Sequence, residues 1–198
     1  MKEPGSHQSF FSYIDRLTPL SAEEKSIIYQ HSRINHFPKG HYLVRQGEIC
    51  LYDYFVLKGC LRSFYIDPKG NEHTMMFATE NWWITDLGSF INRSPAIYHI
   101  QCLEASEVIV IDLNQLNQLF TQIPKLERLF RLLFQNAYIA FEKRIVNRMS
   151  LSARDQYLNL QKQYPFLEQR VPQYMIASYL GITKEFLSKL RGELLLNP

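Results

Sequence analysis

Lys184, Glu185, Ser188 and Lys189 are spaced so that all four share one exposed stripe of a helix, with Arg191 at its flank. Side chains of these types can read a base edge. Near the start of a helix lying in a major groove, Lys donates to guanine O6 or N7 and Glu accepts from cytosine N4. The lysines and Arg191 could instead meet phosphates, which adds affinity without sequence choice. Thr183 stands just before the stripe, where its hydroxyl can accept from a backbone N–H of the helix that follows. The same helix N-terminus favours a phosphate nearby. Met175, Ile176, Leu180, Ile182, Leu187 and Leu190 predict a small core that holds a helix at 173–179 against one from 184 to about 195. Gly181 between them supplies a left-handed turn. This is the layout of a helix-turn-helix; an ordinary helical hairpin with a solvated polar face would share the pattern.

Charge follows the same division. Residues 1–124 carry 10 basic and 13 acidic side chains, whereas residues 125–198 carry 12 and 6. A basic C-terminal part fits a nucleic-acid-binding end joined to something else. Upstream of it, no Pro or Gly interrupts residues 125–149, and Leu126, Phe130, Leu133, Ala137 and Ala140 recur at alternating four- and three-residue steps. That spacing fits a core helix of a monomer or a coiled-coil seam between two copies. The seam is favoured because the helix joins two parts, and small Ala137 and Ala140 would allow close approach. Another helix opens at Ser152, with Asp155 three positions on, and stops at Pro165.

Before residue 123 the texture is different. Residues 10–28 read as two helical pieces, the second opened by a Ser21/Glu24 capping box. Short β-rich runs then follow at 52–57, 61–66, 74–78, 99–103 and 107–111, cut by Gly and Pro. Asp67-Pro68-Lys69-Gly70 is a tight turn between two of them. Strands at this spacing indicate a sandwich or barrel, with a jelly roll the first choice. The expected fold class is α+β. An N-terminal antiparallel β jelly roll with flanking helices occupies residues 1–122, a long dimerisation helix 123–150, and an all-α helix-turn-helix domain 151–198.

Other functions find little support. Cys50, Cys60 and Cys102 are widely spaced, with no C-x-x-C pair, and fit reduced structural thiols. The histidines offer no H-x-H step, which leaves a cupin-type metal enzyme without ligands, so no metal is expected. No Ser/His/Asp set, P-loop or paired carboxylates stand out, so no catalytic residue is assigned and no enzyme is expected. No run approaches the roughly 18 apolar residues of a membrane span. The start of the chain is polar and unlike a signal peptide, so a cytoplasmic location is expected.

The order of these parts resembles the Crp/Fnr family of bacterial transcription regulators, over roughly residues 10–195. The motifs that carry the likeness are Pro38-Lys39-Gly40 with Gln46-Gly47-Glu48, the strand pair across Gly59-Cys60-Leu61-Arg62, and Ile176-Ala177-Ser178-Tyr179-Leu180-Gly181-Ile182-Thr183-Lys184-Glu185. The resemblance implies a cyclic-nucleotide-binding β domain and a homodimer joined through the long helix. Two reading helices would enter successive major grooves of double-stranded DNA at a near-palindromic operator, and RNA polymerase would be a further partner. Lys184, Glu185 and Lys189 match the family's base-contacting positions.

The nucleotide pocket departs from that pattern. Thr85 and Asp86 stand where the phosphate cassette has Gly and Glu, followed by Leu87. Ala96-Ile97 stands where Arg and a small hydroxyl residue are expected, and only Arg93 is near in sequence. Thr85, Asp86, Leu87, Ile97 and Tyr98 are the candidate pocket residues. A phosphate without its guanidinium loses charge-assisted bonds of roughly 1.5–3 kcal/mol each. Cyclic AMP is therefore not the expected ligand, and any small-molecule effector is unidentified. No cysteine cluster for an iron–sulfur centre, no haem pair and no β wing after the reading helix are expected. The competing possibility is a sensing module that acts through protein partners without reading DNA.

Overall fold

In the computed structural model, residues 7–196 are described. The elements run α1 (Gln8–Leu17), α2 (Ala22–Gln30), β1 (Arg33–Phe37), β2 (Tyr42–Val44), β3 (Tyr52–Lys58), β4 (Leu61–Ile66), β5 (Glu72–Ala78) and β6 (Trp83–Ile84). They continue as α3 (Leu87–Asn92), β7 (His99–Cys102), β8 (Ser106–Asp112), α4 (Leu113–Gln122), α5 (Lys125–Ser150), α6 (Ala153–Gln163), α7 (Leu167–Arg170), α8 (Gln173–Leu180) and α9 (Lys184–Leu196). The described strands form two four-stranded sheets, ordered β1-β8-β3-β6 and β2-β7-β4-β5. Non-consecutive neighbours and antiparallel ladders, such as Tyr54 opposite Val110, make this the expected jelly roll within an α+β fold. No described helix is long and apolar enough to cross a membrane.

The chain divides into two compact units. The first contains the described residues up to Ser63 with Phe77–Asn136; the second joins Phe64–Met76 to residues from Ala137 onward. The division differs from the expected cuts at 122 and 150. The tip of the β4–β5 hairpin goes with the C-terminal helices, and α5 runs by continuous chain from one unit into the other.

Local sequence accounts for the joints. Ser21 and Glu24 close the capping box that starts α2, each accepting from the other's backbone N–H. Asp112 and Gln115 do the same for α4. The turn after β4 is held by the Asp67 carboxylate, which accepts from Lys69 N, Asn71 N, Asn71 Nδ2 and His73 Nε2 at 2.8–3.0 Å. Those donors keep its pKa well below the usual carboxylate range, the His73 bond contributing most.

In the first unit, Phe55, Val56, Leu61, Phe77, Ile100, Val108 and Ile109 are fully buried. An aromatic layer lies over β3, where Phe10 packs edge-on to Phe55 with ring centroids 4.8 Å apart and Trp83 is 5.2 Å from Phe55. The α5 residue Phe130 joins it, 5.3 Å from Trp83 and 5.1 Å from Phe120. Asp53 is also buried in β3, and its Oδ1 accepts from Tyr54 N at 3.0 Å. Burial raises its pKa from 3.8 to about 7, outweighing the backbone bond. Between those values the folded chain holds a proton that the unfolded chain has released, so stability falls as pH rises through the window. Asp53→Asn is therefore expected to raise Tm relative to the parent by more at pH 8 than at pH 5, as thermal unfolding at the two pH values would show.

Candidate nucleic-acid interface

α8 and α9 pack through Met175, Ile176, Leu180, Leu187 and Leu190, all buried, with Ile182 half-buried. α8 ends at Gly181, whose φ of 71° and ψ of 31° lie in the left-handed region. Ile182 N donates back to Ala177 O at 3.0 Å, closing the end of the helix. A Cβ on Gly181 would come within 2.5 Å of Arg148 Nη2, so both backbone angle and space select glycine here. Thr183 caps α9, with Phe186 N donating to its Oγ1 at 3.1 Å. The apolar side of α9 is thus fixed against α8, and the opposite side is left to solvent.

On that open side the structure brings together Lys184, Glu185, Ser188 and Lys189, all exposed beside exposed Thr183. Lys189 Nζ lies 4.0 Å from Glu193 Oε1, an exposed contact that constrains it little. Arg191 differs from the expected set. Its Nη2 lies 3.6 Å from Glu168 Oε2, and Glu168 also accepts from the Tyr157 hydroxyl. Burial and that carboxylate push the Tyr157 pKa up to about 12. Arg191 therefore ties α9 to α7 within the second unit. Phe186, which the sequence pattern did not mark, is 50% exposed in the first turn of α9. A large apolar ring beside a cationic stripe is the signal that could have found it, since such a group can pack on a thymine methyl.

The expected seam residues divide by burial. Leu126 and Phe130 are buried in the aromatic core of the first unit and Leu133 is half-buried; only Ala137 and Ala140 are exposed. The five share one stripe of α5, which turns inward at Leu126 and Phe130 and is open at Ala137 and Ala140. About a quarter turn away, Phe134, Tyr138, Phe141 and Ile145 form a second 4-3-4 stripe, with Tyr138 62% and Phe141 53% exposed. That outward stripe, flanked by exposed Ile139 and Val146, has the period of a coiled-coil seam.

The candidate pocket residues do come together around α3. Asp86 caps that helix and is 3% exposed; its Oδ1 accepts from Ser89 N at 3.0 Å and its Oδ2 from Ile97 N at 2.8 Å. The Tyr98 hydroxyl donates to Thr85 O at 2.8 Å, and Thr85 donates to Tyr52 O at 3.1 Å. Burial pushes the Tyr98 phenol far above its ordinary range. Leu87 and Ile97 are exposed, Ile97 at 67%. Arg93, near in sequence, donates to Cys50 O at 3.3 Å. Both Asp86 carboxylate oxygens are thus committed to backbone N–H groups, and the side chain at 97 is apolar and exposed. Among the described residues, no group of three or more His, Cys, Asp or Glu could hold a metal ion.

Comparison with known proteins places these features. The cyclic nucleotide-binding domain family matches residues 34–122. No curated protein matches the chain. Among solved structures, the c-di-GMP responsive global regulator CLP of Xanthomonas campestris is similar at a TM-score of 0.71 and 15% identity, covering 89% of this chain and 93% of that one. A protein from Eubacterium rectale described as a regulator of the Crp/Fnr family has a TM-score of 0.71 at 16% identity, covering 93% and 88%. The catabolite activator protein of Thermus thermophilus has a TM-score of 0.56 at 19% identity, covering 90% and 85%. At these identities the likeness is one of fold. Residues 34–122 are thus similar to cyclic nucleotide-binding domains, and the chain as a whole shares the fold of CLP and of the structure described as a Crp/Fnr-family regulator.

Proposed function

We propose that the chain is a sequence-specific DNA-binding transcription regulator that acts as a homodimer in the cytoplasm. The single observation that carries this reading is the capped α9, whose apolar side is locked to α8 while Lys184, Glu185, Ser188 and Lys189 stand open on the other side. Glu185 and Lys189 supply the acceptor and donor that base edges need, and Lys184 at the helix start serves either base or phosphate. The outward stripe of α5 pairs two copies, which matches a two-fold operator with half-site centres about one helical turn apart. RNA polymerase is the downstream partner on this reading. On this reading the chain is a regulator and not an enzyme.

DNA binding on this reading does not require cyclic AMP. The carboxylate that a nucleotide would meet is held by Ser89 N and Ile97 N, so the pocket region is already tied by its own backbone. Selection of bound sequences from random duplex DNA tests the whole reading. It should be run without nucleotide and with cyclic AMP, cyclic GMP or c-di-GMP, the last because one fold relative is described as responsive to it. A palindrome enriched equally in all arms is the expected result. Enrichment only with one nucleotide would overturn the independence, and none in any arm would overturn DNA reading itself.

A further inference from the structure

Ser178 lies in α8, on the helix that supports α9, and its hydroxyl is committed to a strand. Its Oγ accepts from Thr74 N at 2.9 Å and donates to Glu72 O at 2.7 Å. Those two backbone groups point to the same side of β5, the outer strand in the order β2-β7-β4-β5. One hydroxyl therefore makes the bonds that a further strand would have made, and the sheet edge is capped by a helix side chain. Arg144 of α5 completes the arrangement. Its Nη2 donates to Thr74 O at 3.2 Å, and its guanidinium stands 4.1 Å from the centroid of the Tyr179 ring, next in sequence to Ser178. The strand offered to both side chains is stiff, because the Asp67 carboxylate gathers the turn that precedes it. α5, β5 and α8 thus meet at one polar junction, all of it inside the second compact unit.

We propose that Ser178 and Arg144 are positioning residues that fix the direction of α9 relative to α5, and so set the spacing of half-sites that a dimer accepts. This rests on the reading of α9 as the DNA-contacting helix and of α5 as the dimer helix. The geometry shows why a single bond matters. A helix of the length of α9 spans roughly 20 Å at 1.5 Å per residue. Swinging it by about 10° about one end moves the other end by roughly 3.5 Å, close to the rise of one base pair. The covalent path from α5 to α8 runs through residues 151–172, and the junction supplies a second, shorter tie. Without it, each reading helix would keep its own contacts to bases but lose its fixed distance from the partner's.

The test uses the full chain and the palindrome obtained by selection, rebuilt with spacers one and two base pairs shorter and longer, alongside a duplex carrying one half-site. The parent protein is expected to prefer one spacing by about tenfold over its neighbours. Ser178→Ala should flatten that preference to within about threefold while half-site affinity stays within about twofold. Ser178→Thr, which keeps the hydroxyl, should restore the parent profile. Arg144→Gln gives a second reading of the same junction and should flatten the profile as Ser178→Ala does. A Ser178→Ala protein that keeps the parent's spacing preference overturns the inference. Half-site affinity that falls in step with the palindrome also overturns it, because the residue would then serve only to hold α8 together. A parent protein that enriches no palindrome sinks the DNA reading and the junction's role with it, whereas an unchanged spacing profile sinks only the latter.

Discussion

Lys189→Ala is expected to weaken binding to the selected operator by roughly 1–3 kcal/mol per half-site, about 5- to 150-fold, with little loss on unrelated duplex. The side chain is exposed on the open side of α9, and its ion-pair partner Glu193 is 4.0 Å away and itself exposed. The ammonium is therefore free to exchange that contact for a guanine edge at small cost. A phosphate contact would behave differently: both duplexes would weaken together, and the salt dependence would flatten by a slope of about one. Titrations of operator and random duplex at two salt concentrations separate the two. Equal loss on both would remove Lys189 from base reading. Arg191→Ala provides the contrast, since its guanidinium faces Glu168.

Phe141→Asp should have an even larger effect, by dividing the dimer. Phe141 lies at the middle of the outward stripe between Tyr138 and Ile145, and more than half of it is exposed in a single chain. Burying such a ring contributes roughly 1.5–3 kcal/mol per copy, and two-fold symmetry counts it twice. A carboxylate in its place would also meet its own twin across the seam. A loss of roughly 4 kcal/mol or more corresponds to about a thousandfold in the dimer dissociation constant. Sedimentation velocity at micromolar concentration should show monomers, and affinity for the palindrome should fall to that for one half-site. Phe130→Asp is not a substitute, because that ring is packed among Trp83 and Phe120 and its loss would unfold the first unit. A Phe141→Asp protein that remains dimeric would show that α5 is not the seam.

What the residues alone revealed follows from how local each cause is. The Ser21/Glu24 box, the Gly181 turn and the Thr183 cap each act within a few residues, and the helices they bound begin where the pattern placed them. Strand 61–66 was likewise legible from its turn residues. α4 escaped notice although Asp112 and Gln115 form the same kind of box as Ser21 and Glu24. The seam on α5 shows a deeper limit. A 4-3 repeat marks a helix with an apolar face but does not say which way that face turns. Leu126 and Phe130 have the right period on the inward side, while Phe134, Tyr138, Phe141 and Ile145 carry it outward. The Ser178 contact was out of reach for another reason: its partner is backbone at Glu72, 106 residues away, and backbone groups leave no mark in side-chain identity. Arg191 likewise met Glu168 through folding, not through spacing.

Because Phe64–Met76 lies in one compact unit with the residues from Ala137 onward, that unit is assembled from two stretches of chain. A chimera made by a single crossover in α5 would seat one parent's hairpin against the other parent's helices. Thr74 would then face a foreign residue in place of Ser178 or Arg144. Grafting the DNA-reading end onto another sensor therefore means transplanting two segments together, with the small excursion between β4 and β5 as obligatory cargo.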